Sequence, residues 1–516
     1  MVLPGIGGLG GWLSGWLVAK FAPEAYGSGI PQIKAVLARV PMPMNLQTAL
    51  VKSVAGTIAL GSGLALGREG PTVQATAALA AQLSRWLPNT AAQRRHLIAA
   101  GAGAGLAAAF NAPLAGVLFV TEELLKDISS VTLEIAILAS FMGSVVARLL
   151  GAHSLDFSLA DSLAATGFSA GEIPFYVGLG MVAGLGGAVF NRSILISINY
   201  YQRSQLALPW RIAIAGVFSG TLVALLPSFF LNNAGLRETL VTGQVTGTMA
   251  LIAFLGQFAL TVVGYGSGAP GGLFAPTLIL GSSLGQLVGL LAQMLLGITW
   301  PTTYALVGMG AFFSAAIRVP MTSIVIIFEM TTNFNLVLPL MISCLVAYAV
   351  GERIFPRSLY DRLLDCSGIH LEEKKLIPDF LHTLTAADVM QRSVECLDSE
   401  APLEQAIKQF ANSAQHGFPV LAGEQLVGIV THQDMTNFAQ RQNWPAQEAP
   451  GLRLADIMTP NPATVAPDLS LAGVLTQLNE AGIGRLPVVQ EGKLLGIITR
   501  NNIVQAEAEW LLTQKP

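Results

Sequence analysis

Long apolar segments separated by short polar turns make up residues 1–355 of the chain. Many of these segments are rich in Gly and Ala, and no charged residue occurs between Glu238 and Arg318. Several are long enough to cross a hydrocarbon layer of about 30 Å or to reach half-way through it. This pattern predicts a multi-pass α-helical membrane protein. Beyond Pro356 charged residues return, and from Leu384 onward the pattern is typical of a soluble α/β module.

Composition supports the membrane location and excludes several classes of function. The chain has 52% hydrophobic and 11% charged residues and a mean hydropathy of +0.58, whereas soluble domains carry about 25% charged residues. A soluble adenylate-sensing protein is therefore excluded, and a net charge of −3 provides no basic surface for nucleic acid. The cysteines show no spacing typical of disulfides or a metal site, so we interpret them as reduced structural thiols: Cys344, Cys366 and Cys396.

The most unusual polar residues of the apolar part lie in the motif GREGP at 67–71. Pro71 is a favoured first helical residue, so we predict a helix from Pro71 to Trp86. Glu69 would lie at the helix N-terminus, where unpaired N–H groups attract anions, so its carboxylate would compete with a dissolved anion. The alternative is an ordinary acidic residue paired with Arg68. Ionisable residues at membrane depth are, however, functional by default.

Two further segments of the first part predict membrane helices. The glycine-rich Gly5–Gly11 followed by the apolar Trp12–Val18 is interpreted as the end of one helix. A second helix is predicted over Leu46–Leu66, where small residues would allow close packing in lipid. Lys52 within it is either a buried cation that attracts anions or a side chain that reaches an interface.

The membrane part is internally duplicated. The run of small residues that begins at Gly101 recurs from Gly308 with the same spacing, and segment 272–277 parallels segment 67–72. Two glycine-led helix starts therefore exist. In transporters built from inverted repeats, such broken helices meet near the midplane and direct their N-termini at an anionic substrate. Helix packing alone would explain the glycines but not the charges of GREGP.

Five motifs, in the expected order over residues 1–365, strongly resemble the CLC family of chloride channels and chloride/proton antiporters. Members usually have a longer N-terminal portion, of which this chain has about half. The serine in the first motif favours chloride over nitrate, because nitrate-preferring relatives carry proline there. The motifs are GSGIP at 27–31, GREGP at 67–71, the GAGAGLAAAFNAPLAG run from 101, GGLFAP at 271–276 and RSLY at 357–360.

The resemblance implies a role for each matching residue. Ser28 and Tyr360 would supply hydroxyl groups to a dehydrated chloride, and the backbone amides of Leu273 and Phe274 would contact it from the second helix start. Glu69 matches the gating glutamate, whose carboxylate occupies an outer anion site when ionised and leaves it when protonated. Chloride and protons are therefore the expected substrates.

A second glutamate tends to separate proton-coupled exchangers from passive channels of this family. Glu123 matches this inner glutamate. Adjacent helical residues point about 100° apart, so Glu122 would face elsewhere and make structural contacts. Glu329 falls at the repeat offset from Glu122. The alternative is that Glu122 and Glu123 are both solvated carboxylates at a helix end, near Lys126.

The soluble part is also duplicated, with one unvarying offset, and resembles a tandem pair of CBS domains. Such pairs commonly bind adenine nucleotides through a Ser or Thr and an Asp. Thr431 and Asp434 keep this pattern in the first copy, whereas Thr499 is followed by Asn502 in the second. At most one nucleotide site is complete. A purely structural, dimer-stabilising pair is the alternative.

We therefore predict a multi-pass α-helical membrane protein with a CLC-type inverted repeat and broken helices, followed by a soluble α/β tandem CBS module. It would be a homodimeric chloride/proton antiporter, not an enzyme, in a prokaryotic inner membrane with cytoplasmic CBS domains; no cofactor or metal is required. A passive chloride channel is the first rival. A CBS-regulated cation transporter would need clustered membrane carboxylates. The predicted domains are 1–365 for transport, 366–383 as linker, 384–440 for CBS domain 1, 441–452 as linker and 453–516 for CBS domain 2.

Overall fold

A computed structural model shows the chain as two compact units, Met1–Leu371 and Glu372–Pro516. The predicted linkers at 366–383 and 441–452 lie largely outside the described residues. The structure describes residues 2–87, 90–151, 169–226, 246–297, 301–369, 381, 383–413, 415, 417–441 and 453–513.

The described residues of the first unit form fifteen α-helices, and seven of its helical segments are long and apolar enough to cross a membrane by length and composition. Several other apolar helices are shorter, as expected for helices that reach only part-way. The α-helices are α1 Val2–Phe21, α2 Ile30–Leu37, α3 Leu46–Gly61, α4 Glu69–Trp86, α5 Ala91–Phe110, α6 Pro113–Phe119, α7 Ser130–Leu149, α8 Ile173–Arg203, α9 Leu208–Leu225, α10 Gly247–Gly266, α11 Phe274–Leu296, α12 Pro301–Ile317, α13 Pro320–Thr331, α14 Val337–Ile354 and α15 Leu359–Cys366.

The glycine-rich start of the chain lies within a helix. Helix α1 includes the whole of this stretch and packs along α9. A Cβ atom on Gly11 would lie 2.6 Å from Ile212 O, and one on Gly15 would lie 2.7 Å from Pro209 Cα. Glycine therefore allows the two backbones to approach closely, as in other membrane helix pairs. The predicted helix from Leu46 also differs, because it ends at Gly61.

In the first unit, a glutamate from each repeat caps the N-terminus of a helix in the other repeat. The carboxylate of Glu122 accepts hydrogen bonds from the N–H groups of Met321 (3.0 Å) and Thr322 (2.8 Å) in the first turn of α13. At the equivalent place in the second repeat, Glu329 accepts two from the first turn of α6, at 3.0 and 2.8 Å. Each glutamate thus supplies acceptors for N–H groups that have no partner within their own helix.

The described residues of the second unit form one six-stranded sheet. Strands β2 and β3 form one antiparallel hairpin and β5 and β6 another, and the hairpins join through the pair Gln425–Lys493, so the two copies share a sheet. The strand order is β1-β2-β3-β6-β5, with β4 paired to β3. The strands are β1 Leu397–Asp398, β2 Gly417–Ala422, β3 Gln425–Thr431, β4 Thr459–Pro460, β5 Arg485–Gln490 and β6 Lys493–Thr499; the helices are α16 Ala386–Val389, α17 Leu403–Asn412, α18 His432–Arg441, α19 Leu471–Glu480 and α20 Arg500–Thr513.

The sequence repeat of the second unit is visible in its helix starts. At the first copy, the backbone N–H and hydroxyl of Thr385 donate to the carboxylate of Asp388 at 2.8 and 2.7 Å. These hydrogen bonds lower the pKa of the Asp388 carboxyl below its usual value. At the second copy, the backbone N–H of Arg453 donates to Asp456 at 3.0 Å. Equivalent aspartates thus cap equivalent turns.

Candidate functional site

The glycine-rich loops of the two repeats are hydrogen-bonded to one another. Gly67 N–H donates to Gly272 O at 2.8 Å, and Gly272 N–H donates to Gly67 O at 2.6 Å. The GSGIP loop is held in the same way: Gly27 N–H donates to Gly268 O at 3.2 Å, and Gly271 N–H donates to Gly27 O at 3.0 Å. The four motif loops near residues 27, 67, 268 and 272 therefore form one backbone framework.

This framework brings two helix N-termini together. Helix α4 begins at Glu69, two residues before the predicted start at Pro71. Proline is tolerated at this position, because the N–H groups of the first turn have no partner within the helix. Helix α11 begins at Phe274. A Cβ atom on Gly70 would lie 2.7 Å from Ser28 O and 2.8 Å from the Cα of Gly272, so only glycine allows this approach. The partial positive charges of both helix starts act on one small region.

Glu69 lies buried in this region, with 3% of its surface exposed. Its Oε2 atom lies so close to the Cα of Gly67 that a side chain at that position would collide with it. The carboxylate is therefore folded back toward the loop and toward the start of α11. Arg68, at the surface, donates to Ala109 O at 3.5 Å. A negatively charged group near a helix N-terminus interacts favourably with the helix dipole.

Three hydroxyl groups accompany the helix starts. Ser28 and Tyr360, both predicted, are 1% and 0% exposed, and the Tyr360 hydroxyl makes no hydrogen bond within the described part of the chain. Tyr265, which sequence reasoning missed, donates its hydroxyl to Ser28 Oγ at 3.3 Å. Tyr265 and Ser28 also line a cavity of about 100 Å³. The only sequence signal for Tyr265 is its position just before the second glycine-rich loop.

Phe274 is fixed by its ring. Its centroid lies 4.8 Å from that of Phe313 and 5.7 Å from that of Phe119, both edge to face, and 6.3 Å from that of Phe110. Such pairs contribute about 0.5–1.5 kcal/mol each beyond the area they bury. Leu273 beside it is fully buried. Because both side chains are anchored in the core, their backbone N–H groups are held at a fixed place at the helix start.

Glu122 and Glu123 lie on a π-helical turn, Val120–Leu124, that follows α6. Their side chains face different neighbours. Glu122 caps the N-terminus of α13, whereas Glu123 accepts hydrogen bonds from Lys34 Nζ at 2.7 Å and from Ser358 Oγ at 2.9 Å. Glu123 is 2% exposed, so the alternative of a solvated carboxylate is wrong for this residue. π-Turns within helices are frequent at functional sites.

Lys52 is fully buried, so the alternative in which it reaches an interface is wrong. Its ammonium group donates to Ala25 O at 2.9 Å and to Gly27 O at 2.6 Å. The second of these carbonyl groups belongs to the residue before Ser28. Lys52 therefore holds the GSGIP loop in position.

In the second unit, the two residue pairs predicted for nucleotide binding form equivalent local contacts. The backbone N–H and hydroxyl of Thr431 donate to Asp434 at 2.8 and 2.7 Å, and those of Thr499 donate to Asn502 at 3.0 and 2.6 Å. Asparagine therefore replaces aspartate as a helix cap without loss of either bond. Nucleotide binding by these residues stays a prediction.

Residues 10–352 match the family model described as voltage gated chloride channel, and residues 386–441 and 454–509 each match that of the CBS domain. A helical membrane unit with two facing helix starts, followed by such a pair, defines the class of CBS-containing channel and transporter proteins. The chain belongs to the voltage-gated chloride channel family. The predicted resemblance and fold class are confirmed.

Relatives and solved structures agree. The chain is 35% identical over 360 residues to the H(+)/Cl(-) exchange transporter ClcA of Vibrio parahaemolyticus serotype O3:K6 (strain RIMD 2210633), covering 68% of this chain and 76% of that relative. The crystal structure of a slow cyanobacterial Cl-/H+ antiporter is 32% identical, with a TM-score of 0.64, over 71% of this chain and 87% of that one. A eukaryotic CLC transporter, at 24% identity and a TM-score of 0.62, covers 97% and 89% and shows the fold alone.

Proposed function

We propose that this protein exchanges chloride for protons across a membrane. The observation that carries the proposal is the position of Tyr360, whose buried hydroxyl makes no hydrogen bond within the described residues. Its backbone N–H donates to Ser358 Oγ at 3.2 Å, and Ser358 Oγ donates to Glu123 at 2.9 Å, so a hydroxyl suited to an anion lies one residue contact away from a buried carboxylate. The relatives named as H(+)/Cl(-) exchangers and the antiporter structure support the same activity.

Chloride would bind where the two helix starts meet. The N–H groups of Leu273 and Phe274 and the hydroxyls of Ser28 and Tyr360 would replace its hydration shell, because a desolvated anion needs donors of hydrogen bonds. The carboxylate of Glu69 would compete with chloride as a tethered anion. Protonation neutralises this carboxylate, so chloride entry and proton binding at Glu69 become linked.

Glu123 would deliver protons to Glu69 from the other side of the chloride site. Its burial keeps it out of contact with bulk water, so a proton reaches it along a defined path. A passive channel needs no buried carboxyl there. We further propose a homodimer in a prokaryotic inner membrane, with the CBS pair as a cytoplasmic regulatory module.

The decisive experiment uses the full chain reconstituted in liposomes. A chloride gradient is imposed while potassium and valinomycin clamp the voltage, and proton movement is followed with a pH electrode. The wild-type protein is expected to drive protons uphill. Chloride flux without proton flux would contradict antiport and favour the passive channel.

Two variants separate the roles of the glutamates. Glu69→Gln imitates the protonated form of the gate, so chloride should pass while proton transport stops. Glu123→Gln should also stop protons, but it leaves the Glu69 carboxylate able to compete with chloride. Chloride flux in Glu123→Gln should therefore keep a dependence on external pH that Glu69→Gln lacks. Wild-type proton flux in either variant would remove that glutamate from the pathway.

A further inference from the structure

The buried ammonium group of Lys34 contacts two carboxylates, that of the inner glutamate Glu123 and that of Asp361. Lys34 Nζ lies 2.7 Å from Glu123 Oε1 and 2.5 Å from Asp361 Oδ1. The side chains of Lys34, Glu123 and Asp361 are 4%, 2% and 7% exposed. The two carboxylate oxygens are therefore no farther apart than the sum of these contacts, a gap that one water molecule can bridge.

Asp361 is the member of this cluster with a connection to the surface. Its second oxygen, Oδ2, lies 3.6 Å from Lys126 Nζ, and the Lys126 side chain is 58% exposed. Glu123 instead points its carboxylate at Lys34 and at the buried hydroxyl of Ser358. Of the two carboxylates, Asp361 is therefore the one that forms a described ion pair with a solvent-exposed side chain.

The charges of the cluster leave room for one proton. Its buried core has one cation, Lys34, and two carboxylates, and an unbalanced buried charge is costly. The other charged groups that act on it are Lys126, at the surface, and Arg357, which is paired with Asp365 at 2.8 Å. Uptake of one proton by either carboxyl balances the buried core.

Helix α15 connects this cluster to the chloride site. Ser358 precedes it, Tyr360 and Asp361 lie in its first turn, and the Ser358 hydroxyl that donates to Glu123 also accepts from Tyr360 N–H at 3.2 Å. Helix α15 and the serine before it thus supply the hydroxyl of Tyr360, which we propose binds chloride, and two groups of the inner proton site, Ser358 and Asp361. Helix α2, which follows Ser28, carries Lys34.

We propose that Asp361 is the solvent-side proton acceptor of the inner site and that Lys34 is the positioning residue that holds it beside Glu123. This rests on the proposed antiport. A proton from water binds Asp361, the O–H bond there breaks, and a new O–H bond forms on Glu123. Lys34 remains an ammonium ion throughout, and Asp361 is left ionised for the next proton.

The test measures the ratio of proton to chloride flux in liposomes under clamped voltage. Asp361→Asn should slow proton transport at least about tenfold while chloride flux continues, because an amide cannot take up the proton. Asp361→Glu should keep the ratio. The matched control is Asp365→Asn, on the same helix and paired with Arg357, and it should leave the ratio unchanged.

Lysine variants test the positioning role. Lys34→Arg keeps the cation and should keep most of the coupling, whereas Lys34→Met should lower the flux ratio as Asp361→Asn does. If Asp361→Asn does not fold, the charge-balanced double variant Lys34→Met with Asp361→Asn replaces it, with the same expected loss. A wild-type flux ratio in Asp361→Asn, or in the double variant where Asp361→Asn does not fold, would overturn this inference and leave the proposed antiport standing. An uncoupled wild-type protein would overturn the proposed antiport as well.

Discussion

At the scale of single residues, the direction of one hydrogen bond determines which hydroxyl proton can face the proposed anion site. A serine hydroxyl has a single proton, and Tyr265 supplies the proton of the Tyr265–Ser28 contact. The hydroxyl proton of Ser28 therefore stays available for the chloride that we propose binds there. Tyr265 would act on this proposed site through Ser28.

Tyr265→Phe should consequently weaken chloride selectivity. Loss of one hydrogen bond changes a free energy by about 1 kcal/mol, or roughly fivefold in relative affinity. The measurement is the ratio of nitrate to chloride uptake by liposomes, which should rise. Tyr176→Phe is the control, because Tyr176 is equally buried but donates to Glu172 at 3.0 Å. An unchanged ratio in Tyr265→Phe would mean that Ser28 is oriented without it.

Sequence motifs could predict Ser28, Glu69 and Tyr360, because each lies in a short pattern with a recognisable resemblance. Lys34 and Asp361 could not be predicted in the same way. They lie far apart in the chain, and only the packing of α2 against α15 makes their contact of 2.5 Å. In the sequence, each appears as a charged residue within a buried helix. Such a residue does not by itself identify the group with which it pairs.

At the scale of helices, Glu122 and Glu329 each cap a helix of the other repeat. This structural role differs from the role that we propose for Glu123. Glu122→Ala or Glu329→Ala removes the acceptor for two first-turn N–H groups. We expect each to lower the free energy of unfolding by about 1 kcal/mol or more. Proton coupling should persist, since neither side chain contacts Lys34 or Asp361 in the described hydrogen-bond network.

Thermal unfolding in detergent and the flux ratio in liposomes check this prediction together. Glu134→Ala is the control, because Glu134 is an exposed glutamate on α7. An uncoupled Glu122→Ala protein with wild-type thermal stability would contradict the assignment.

The helical elements were predictable in kind but not at every boundary. Apolar length indicated membrane helices, and the duplication indicated two facing helix starts. The early start of α4 at Glu69 was not predictable from Pro71, since proline is tolerated at several first-turn positions. The close contact of the glycine-rich N-terminal helix with α9 was not predictable, because no local pattern contains it.

At the scale of the whole molecule, the change of composition after Pro356 anticipated two units, and the second unit offers a separate prediction. We propose that its first copy binds an adenine nucleotide through Thr431 and Asp434. Asp434→Ala should weaken binding to the fragment from Leu384, measured by titration calorimetry with AMP, ADP and ATP. Asn502→Asp is the matched variant in the second copy. No heat with any nucleotide would favour a purely structural CBS pair.

The reciprocal helix caps also determine when the first repeat can complete its folding during synthesis. The N–H group of Leu114 finds its acceptor in Glu329, 215 residues later in the chain. At roughly 5–20 residues per second, the ribosome needs about 10–40 s to reach that glutamate. During this interval the N–H group of Leu114 exists without its final acceptor. The first repeat can therefore reach its finished structure only after the second repeat has been translated.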